Sequence, residues 1–312
     1  MKVAKTLSTV RQRLRIVLTK AGLLKERLDE CKYHKPIPSV EEGSCAIKRL
    51  LLSSAPSCIL RMGATEAACC SFYHEHLKEK RAYPAALAMQ MNSCTGFFPT
   101  TNQMLDEFAK NYLEYLKSAD AIGLLRYGKE NVLLKYYCPE TDLIPFRSLE
   151  PWLSEAPWTS ALAGKTVLVI HPFGQTIQQQ FTNRELLFLD PRILPEFRLK
   201  TLKAAQTVSG TATKYKTWFE ALEGMFEQIR HIDFEIAIIG AGAYGLPLAA
   251  YVKQIGRKAV HMGGATQLLF GIKGKRWDND PLRGKLYNKH WVRPTSEETP
   301  PAFQAVEGGC YW

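Results

Sequence analysis

The chain reads as an α/β protein: a Rossmann-like parallel sheet flanked by helices, with an N-terminal helical extension. Three observations predict it. Short charge-free runs such as Thr166-Val-Leu-Val-Ile have the β-branched composition of strands buried on both faces. Such runs alternate with stretches of helical periodicity, the signature of layered α/β folds. Residues 234–262 make a strand, a glycine turn, a helix and a second strand, which forces those two strands to be parallel. At 312 residues, 46% hydrophobic and 23% charged, the chain can bury one large core.

The elements follow in order. Val3, Leu7, Val10, Leu14, Val17, Ala21, Leu24 and Leu28 step by fours and threes, a heptad seam on a helix whose other faces are basic. Residues 31–47 read as a connector. Ser57–Leu60 is a strand, followed by an Ala-rich helix. Residues 91–103 read as a loop around Pro99, and Thr100 and Gln103 have capping-box spacing. Leu105, Phe108, Tyr112 and Tyr115 mark a helix, and 120–125 a further strand. Residues 150–165 read as a loop and a weak point between subdomains. The strand at 166–170 leads to a helix carrying Gln178, Arg184 and Glu185. Thr217 and Glu220 form a second capping box before a helix lined by Trp218, Leu222, Met225, Ile229 and Ile232. The strand from Phe234, the turn Gly240–Gly245, a helix from Pro247 to Ile255 and a strand at 258–262 complete the set. Residues 236–252 carry no charge, but Gly240, Gly242, Gly245 and Pro247 interrupt them, so a strand, turn and helix start is expected rather than a membrane span. The organisation expected is residues 1–48 as basic extension and connector, 49–280 as the Rossmann-like domain, and 281–312 as a tail packing on it.

Charge is concentrated. Residues 1–27 hold eight cations against one acid (+7), and residues 271–293 hold seven against two (+5), which leaves −1 of the total +11 for everything else. A nucleic-acid protein spreads positive charge over a groove, so no nucleic acid is expected. The basic heptad packs on the body or on a second copy of the chain, lies on an anionic membrane surface, or contacts nucleic acid; packing or homodimerisation ranks first and the membrane second. The eight cysteines include no Cys-x-x-Cys pair, and no secretory leader precedes them, so reduced thiols and a cytoplasmic location are expected.

Four clusters fall at strand ends, where open α/β sheets bind ligands. Gly240-x-Gly242-x-x-Gly245 stands between a strand and a helix, where backbone amides and the helix N-terminus receive phosphate. A dinucleotide site also carries an acid some twenty residues on. That region reads Val260-His261-Met262-Gly263-Gly264-Ala265, without one, so NAD is not expected. Arg61-Met62-Gly63-Ala64-Thr65-Glu66 offers a guanidinium for phosphate and a carboxylate as base or metal ligand; its bland alternative is an Arg61–Glu66 ion pair. His171-Pro-Phe-Gly offers a general base or a hydrogen bond to a diphosphate. His261, Gly263, Gly264 and Gln267, followed by Lys273, Lys275 and Arg276, suit an anion.

The segments ILRMGATE, KTVLVIHPFG, IIGAGAYGLPLAAYVKQIGRKAVHMGGATQLLFGIKGKRW and VEGGCYW resemble a family of bacterial proteins found among surface-polysaccharide genes. The likeness spans about residues 57–312. That family's pattern is in turn similar to GT-D fold glycosyltransferases. Their first strand ends in Arg-x-Gly-Asp-x-Glu, whose acids serve a divalent metal. Arg61, Gly63 and Glu66 match, while Ala64 stands in place of the first acid, leaving Glu66 to serve Mn²⁺ or Mg²⁺ with phosphate oxygens and waters. The resemblance implies a glycosyltransferase with a nucleotide-sugar donor and a glycan or lipid-linked acceptor. It would be cytoplasmic, peripheral at the inner face of the membrane through residues 1–28. Glu66 or His171 would be the base. Two alternatives remain: an NAD-type oxidoreductase and a non-catalytic nucleotide-binding or scaffold protein.

Overall fold

A computed structural model describes residues 32–33, 35–79, 81–127, 129–207, 213–301 and 303–312. The basic heptad of residues 1–28 lies outside them. Pro38–Trp312 forms one compact unit, described here by itself.

Seven strands form one all-parallel sheet: β1 (Ser57–Leu60), β2 (Ala121–Leu124), β3 (Asp142–Pro145), β4 (Thr166–His171), β5 (Arg198–Lys203), β6 (Ile236–Ile239) and β7 (Lys258–His261). Their order across the sheet is β3-β2-β1-β7-β6-β4-β5. The α-helices among the described residues of this unit are α1 (Val40–Leu52), α2 (Ala64–Glu75), α3 (Ala85–Thr95), α4 (Asn102–Leu116), α5 (Glu130–Tyr137), α6 (Gly174–Phe181), α7 (Trp218–Arg230), α8 (Gly245–Gln254) and α9 (Thr266–Leu269). The α/β reading of the sequence holds.

Successive strand residues point to opposite faces, and the central strands bury both. Ile59, Val167, Val169, Ile236, Ile238 and Val260 share a core with Ile47 and Leu51 of α1, Ile177 of α6 and Leu268 and Leu269 of α9. Leu60, Ile122, Leu168, Ile170 and Ile239 are buried on the alternate side. There α4 packs on α8 and α7. The uncharged stretch 236–252 is β6, a 3₁₀ turn (Gly242–Tyr244) and most of α8. No helix among the described residues is long and apolar enough to cross a membrane.

Several local expectations are corrected. The connector expected over residues 31–47 is helix from Val40, which runs to Leu52. Ser39 caps it, its Oγ accepting from Glu42 N at 3.2 Å while Glu42 Oε2 accepts from Ser39 N at 2.8 Å. Met91–Thr95 belongs to α3, which stops at Gly96 in the left-handed region (φ 75°). Thr101, not Thr100, caps α4, its Oγ1 accepting from Met104 N. Thr217 caps α7, but Glu220 reaches back to Lys216 N, one residue beyond the cap. Helix α6 ends at Phe181, and Arg184 and Glu185 stand in a separate 3₁₀ turn. Residues 150–165 are no boundary: Ser44 of α1 donates to Ala156 O and accepts from Trp158 N, and Trp158 is fully buried.

The C-terminal segment is tied to the sheet unit by specific bonds. Buried Trp291 donates Nε1–H to Leu187 O, Arg283 pairs with buried Glu150, and the Glu298 carboxylate accepts from the backbone of Gln175 and Thr176 at the start of α6.

Candidate functional site

Strand order decides where a ligand can sit. From β4 the chain moves outward to β5, whereas from β6 it moves the other way to β7. Adjacent β4 and β6 therefore form a topological switch point, the crevice where open parallel sheets bind ligands. A cleft of about 110 Å³ opens there, several times the volume one water occupies. The ends of β1, β7, β6 and β4, four neighbours in the sheet, bring to it Arg61, Gly263 and Gly264, Gly240 and Gly242, and His171. Gln267 joins them from α9.

The glycines of the loop do different things. Gly242 has φ 53°, a left-handed backbone that favours glycine, and a Cβ there would meet only Thr95 O at 3.8 Å. It is the glycine that leaves the loop open to a ligand. At Gly240 a Cβ would lie 2.6 Å from His171 Cδ2 and 2.7 Å from Thr266 Cβ. At Gly245 it would lie 2.2 Å from His261 Nε2. Gly240 thus lines the cleft by letting two side chains close behind it. Gly245, expected at a phosphate, instead makes room for the His261 ring beneath α8.

His171 is buried at the end of β4, and its Nδ1 accepts a hydrogen bond from Phe173 N–H at 3.0 Å. The neutral ring must then carry its proton on Nε2. Among the described residues Nε2 has no hydrogen-bond partner. Burial pushes the imidazole down to about 3, so the ring is neutral at physiological pH. The proposed role as general base is corrected: Nδ1 is occupied and Nε2 already holds the proton, which makes the group a donor.

His261 lies beneath the cleft rather than on it. Among the described residues neither ring nitrogen has a hydrogen-bond partner within bonding geometry, although the Arg61 main chain lies beside the ring. Burial and then the Arg61 charge push its pKa well down. Its place among the ligand-contacting residues is corrected to that of a packing residue.

Arg61 extends over Gly263, whose Cβ would lie 2.8 Å from Nη1; at φ 68° this position also favours glycine. The guanidinium stands 5.8 Å from the Phe146 ring. Glu66 does not line the cleft. It folds back over the first turn of α2, where a Cβ on Gly63 would meet its Oε2 at 2.0 Å. Burial raises its pKa and the Arg61 charge partly offsets that. Arg61 and Glu66 make no direct ion pair among the described residues, and Arg61 alone of the two lines the cleft. Gly63, expected to touch the donor, serves instead to admit the Glu66 carboxylate.

The expected metal role of Glu66 has no second ligand beside it among the described residues. Glu66 has Ala64 where a second acid would stand, and among the described residues no group of three His, Cys, Asp or Glu could hold an ion.

The three cations of residues 273–276 do not reach the cleft. Lys273 Nζ lies 5.6 Å from the Tyr287 ring, Lys275 Nζ donates to Gly308 O at 3.1 Å, and Arg276 donates to Tyr311 Oη and pairs with Glu307. Their expected phosphate contact gives way to a structural one. Arg276 fixes Tyr311, which packs against Gly264 and lines the cleft with Trp312. These aromatics, with Cys94, Thr95 and Thr207, are lining residues that sequence reasoning missed. The closing GGCYW offered the only signal.

No family model, curated protein or solved structure matches the chain. The functional reading therefore stands on the cleft itself.

Proposed function

We propose that the cleft binds the diphosphate of a nucleotide-sugar donor and that the chain is a glycosyltransferase of bacterial surface-polysaccharide or lipid-linked glycan synthesis. The observation that carries this reading is the meeting of Arg61, the Gly242 turn, Gly263 and His171 at the switch point. One guanidinium, open backbone turns, a neutral N–H donor and the N-terminus of α8 all favour an anion. Tyr311, Trp312 and Phe173 supply apolar surface for a ring attached to it.

In the transfer, the bond between the anomeric carbon and the diphosphate oxygen breaks, and a bond from that carbon to the acceptor oxygen forms. Negative charge grows on the diphosphate, where Arg61 and the loop amides stabilise it. The acceptor hydroxyl must lose its proton. Glu66 lies off the cleft and His171 Nε2 is already protonated, so the departing diphosphate is the base that this arrangement leaves. Residues 1–28 would hold the enzyme at the anionic inner face of the cytoplasmic membrane, near lipid-linked acceptors.

The position of Glu66 favours a second reading, a nucleotide-binding protein without catalysis. One assay separates the two: release of nucleoside diphosphate from a panel of nucleotide sugars, with wild type and Arg61→Ala. Release that falls at least tenfold in the variant supports the enzyme. Binding without release supports the second reading.

A further inference from the structure

We infer that the cleft takes a phosphate joined to a hydroxyl-bearing group, with phosphate oxygens at Arg61 and His171 and a sugar hydroxyl donating to Gln267. This rests on reading the cleft as a phosphate-ligand site and adds the polarity that each end of the ligand must have.

Two side chains have polarities fixed by their neighbours. At His171, the Phe173 N–H holds Nδ1 as an acceptor and leaves Nε2–H as a donor. Reversing the tautomer would set two N–H groups against each other. The ligand atom at His171 is therefore an acceptor. Arg61 has the same sense, since guanidinium only donates, and its Nε–H is buried without a partner among the described residues.

Gln267 has the opposite sense. Its Nε2 faces three carbonyls, Ile272 O at 3.3 Å, Lys273 O at 3.0 Å and Tyr311 O at 3.1 Å. Turning the amide over would put Oε1 against three carbonyl oxygens. Oε1 is thus fixed as the acceptor end of a fully buried side chain that lines the cleft, and among the described residues it has no hydrogen-bond partner. A buried acceptor left unpaired is costly, so a ligand that supplies a donor gains over one that does not. Ionised phosphate oxygens supply no such donor, and the P–OH that inorganic phosphate keeps near neutral pH sits on the same small ion that Arg61 and His171 must hold. A sugar hydroxyl supplies the donor. The two polarities together describe a sugar phosphate rather than a bare phosphate.

The test is titration calorimetry with inorganic phosphate and with the 1-phosphates of glucose, galactose and mannose. In the wild-type protein the tightest hexose 1-phosphate is expected to bind at least tenfold more tightly than phosphate. In Gln267→Met that ratio is expected to fall toward one. His171→Gln, whose amide nitrogen can still donate, is expected to bind every probe more tightly than His171→Ala. A wild-type ratio near one, which requires no variant to fold, would overturn the inference. So would a ratio that survives in Gln267→Met, or equal binding by the two His171 variants. If nucleotide sugars bind while the hexose ratio is one, only this inference fails. If neither the sugars' phosphates nor the nucleotide sugars bind, the phosphate-site reading fails with it.

Discussion

Gly245→Ala tests the division of labour among the loop glycines. Gly245 is the first residue of α8, with helical backbone angles (φ −61°, ψ −42°). Alanine there should stabilise by roughly 0.5–1 kcal/mol from propensity alone. The structure reverses the sign. The new Cβ would lie 2.2 Å from His261 Nε2 and 2.5 Å from Cδ2, and the ring, 1% exposed, has no open space to enter. Overpacking of this kind costs about 1–3 kcal/mol, so after the propensity gain a net loss of roughly 1 kcal/mol, and at most about 2.5 kcal/mol, is expected. For a unit of this size that is roughly 2–4 °C in Tm per kcal/mol. Urea unfolding measures it, within a double-mutant cycle with His261→Ala. Once the ring is gone, Gly245→Ala should be neutral or slightly stabilising, giving a coupling of at least about 1 kcal/mol. A Gly245→Ala protein of unchanged stability that no longer binds nucleotides would refute the packing role and return Gly245 to the phosphate.

Four further outcomes are expected. Because burial depresses the His171 pKa to about 3, its contribution to stability is complete above about pH 6.5, the unfolded value, and is lost as pH falls toward 3. By pH 5 linkage gives a loss of about 2 kcal/mol. The difference in urea stability between pH 8 and pH 5 should shrink by about that amount in His171→Gln, and an unchanged difference would contradict a neutral buried ring. Glu298→Ala removes the carboxylate that accepts from Gln175 N at 2.8 Å and from Thr176 N. It should cost about 1–3 kcal/mol, against a negligible loss if the tail merely rests on the surface. Cys94 is half-buried on the cleft and Cys45 is exposed on α1. A bound nucleotide sugar should slow alkylation of Cys94 and leave that of Cys45 unchanged, and equal rates with and without ligand would place the ligand elsewhere. Deleting residues 1–28 should abolish binding to anionic vesicles without changing donor binding; intact protein that ignores such vesicles at low salt would end the membrane proposal.

What the sequence revealed, and what it hid, follows from local physics. The strands β1, β4, β6 and β7 were legible because burial on both faces makes them short apolar runs. Those same strands carry the site, so Arg61, His171, Gly240, Gly242 and Gly263 could be placed at one edge. Strand β5 (RLKTLK) was hidden because it is the sheet edge, with Arg198, Lys200 and Lys203 exposed, as edge strands commonly are. Strand β3 is four residues long, starts exposed at Asp142 and ends in a proline. Helix α1 carries a local signal, Ser39 and Glu42 at capping-box spacing ahead of Ile47 and Leu51. Spacing cannot show side-chain direction. Glu66 turning onto its own helix, His261 lying under Gly245, and Arg276 serving Tyr311 are outcomes of packing between distant segments. Tyr311 and Trp312 reach the cleft through contacts with Gly264 and Glu298 that no local pattern encodes.

The central claim is that the switch-point cleft binds a nucleotide sugar, and a thermal-shift panel tests it most directly. Ligand that binds only the folded chain must raise Tm by mass action, about 2.7 kcal/mol of stabilisation at a hundred times Kd. The panel sets uridine, guanosine, cytidine and thymidine diphosphate sugars beside NAD(H) and NADP(H), on wild type and Arg61→Ala. The expected result is a clear rise in Tm with at least one nucleotide sugar, larger than with any nicotinamide dinucleotide and lost in Arg61→Ala. Stabilisation by NAD(H) with none by any nucleotide sugar, or a nucleotide-sugar shift that ignores Arg61→Ala, would contradict it.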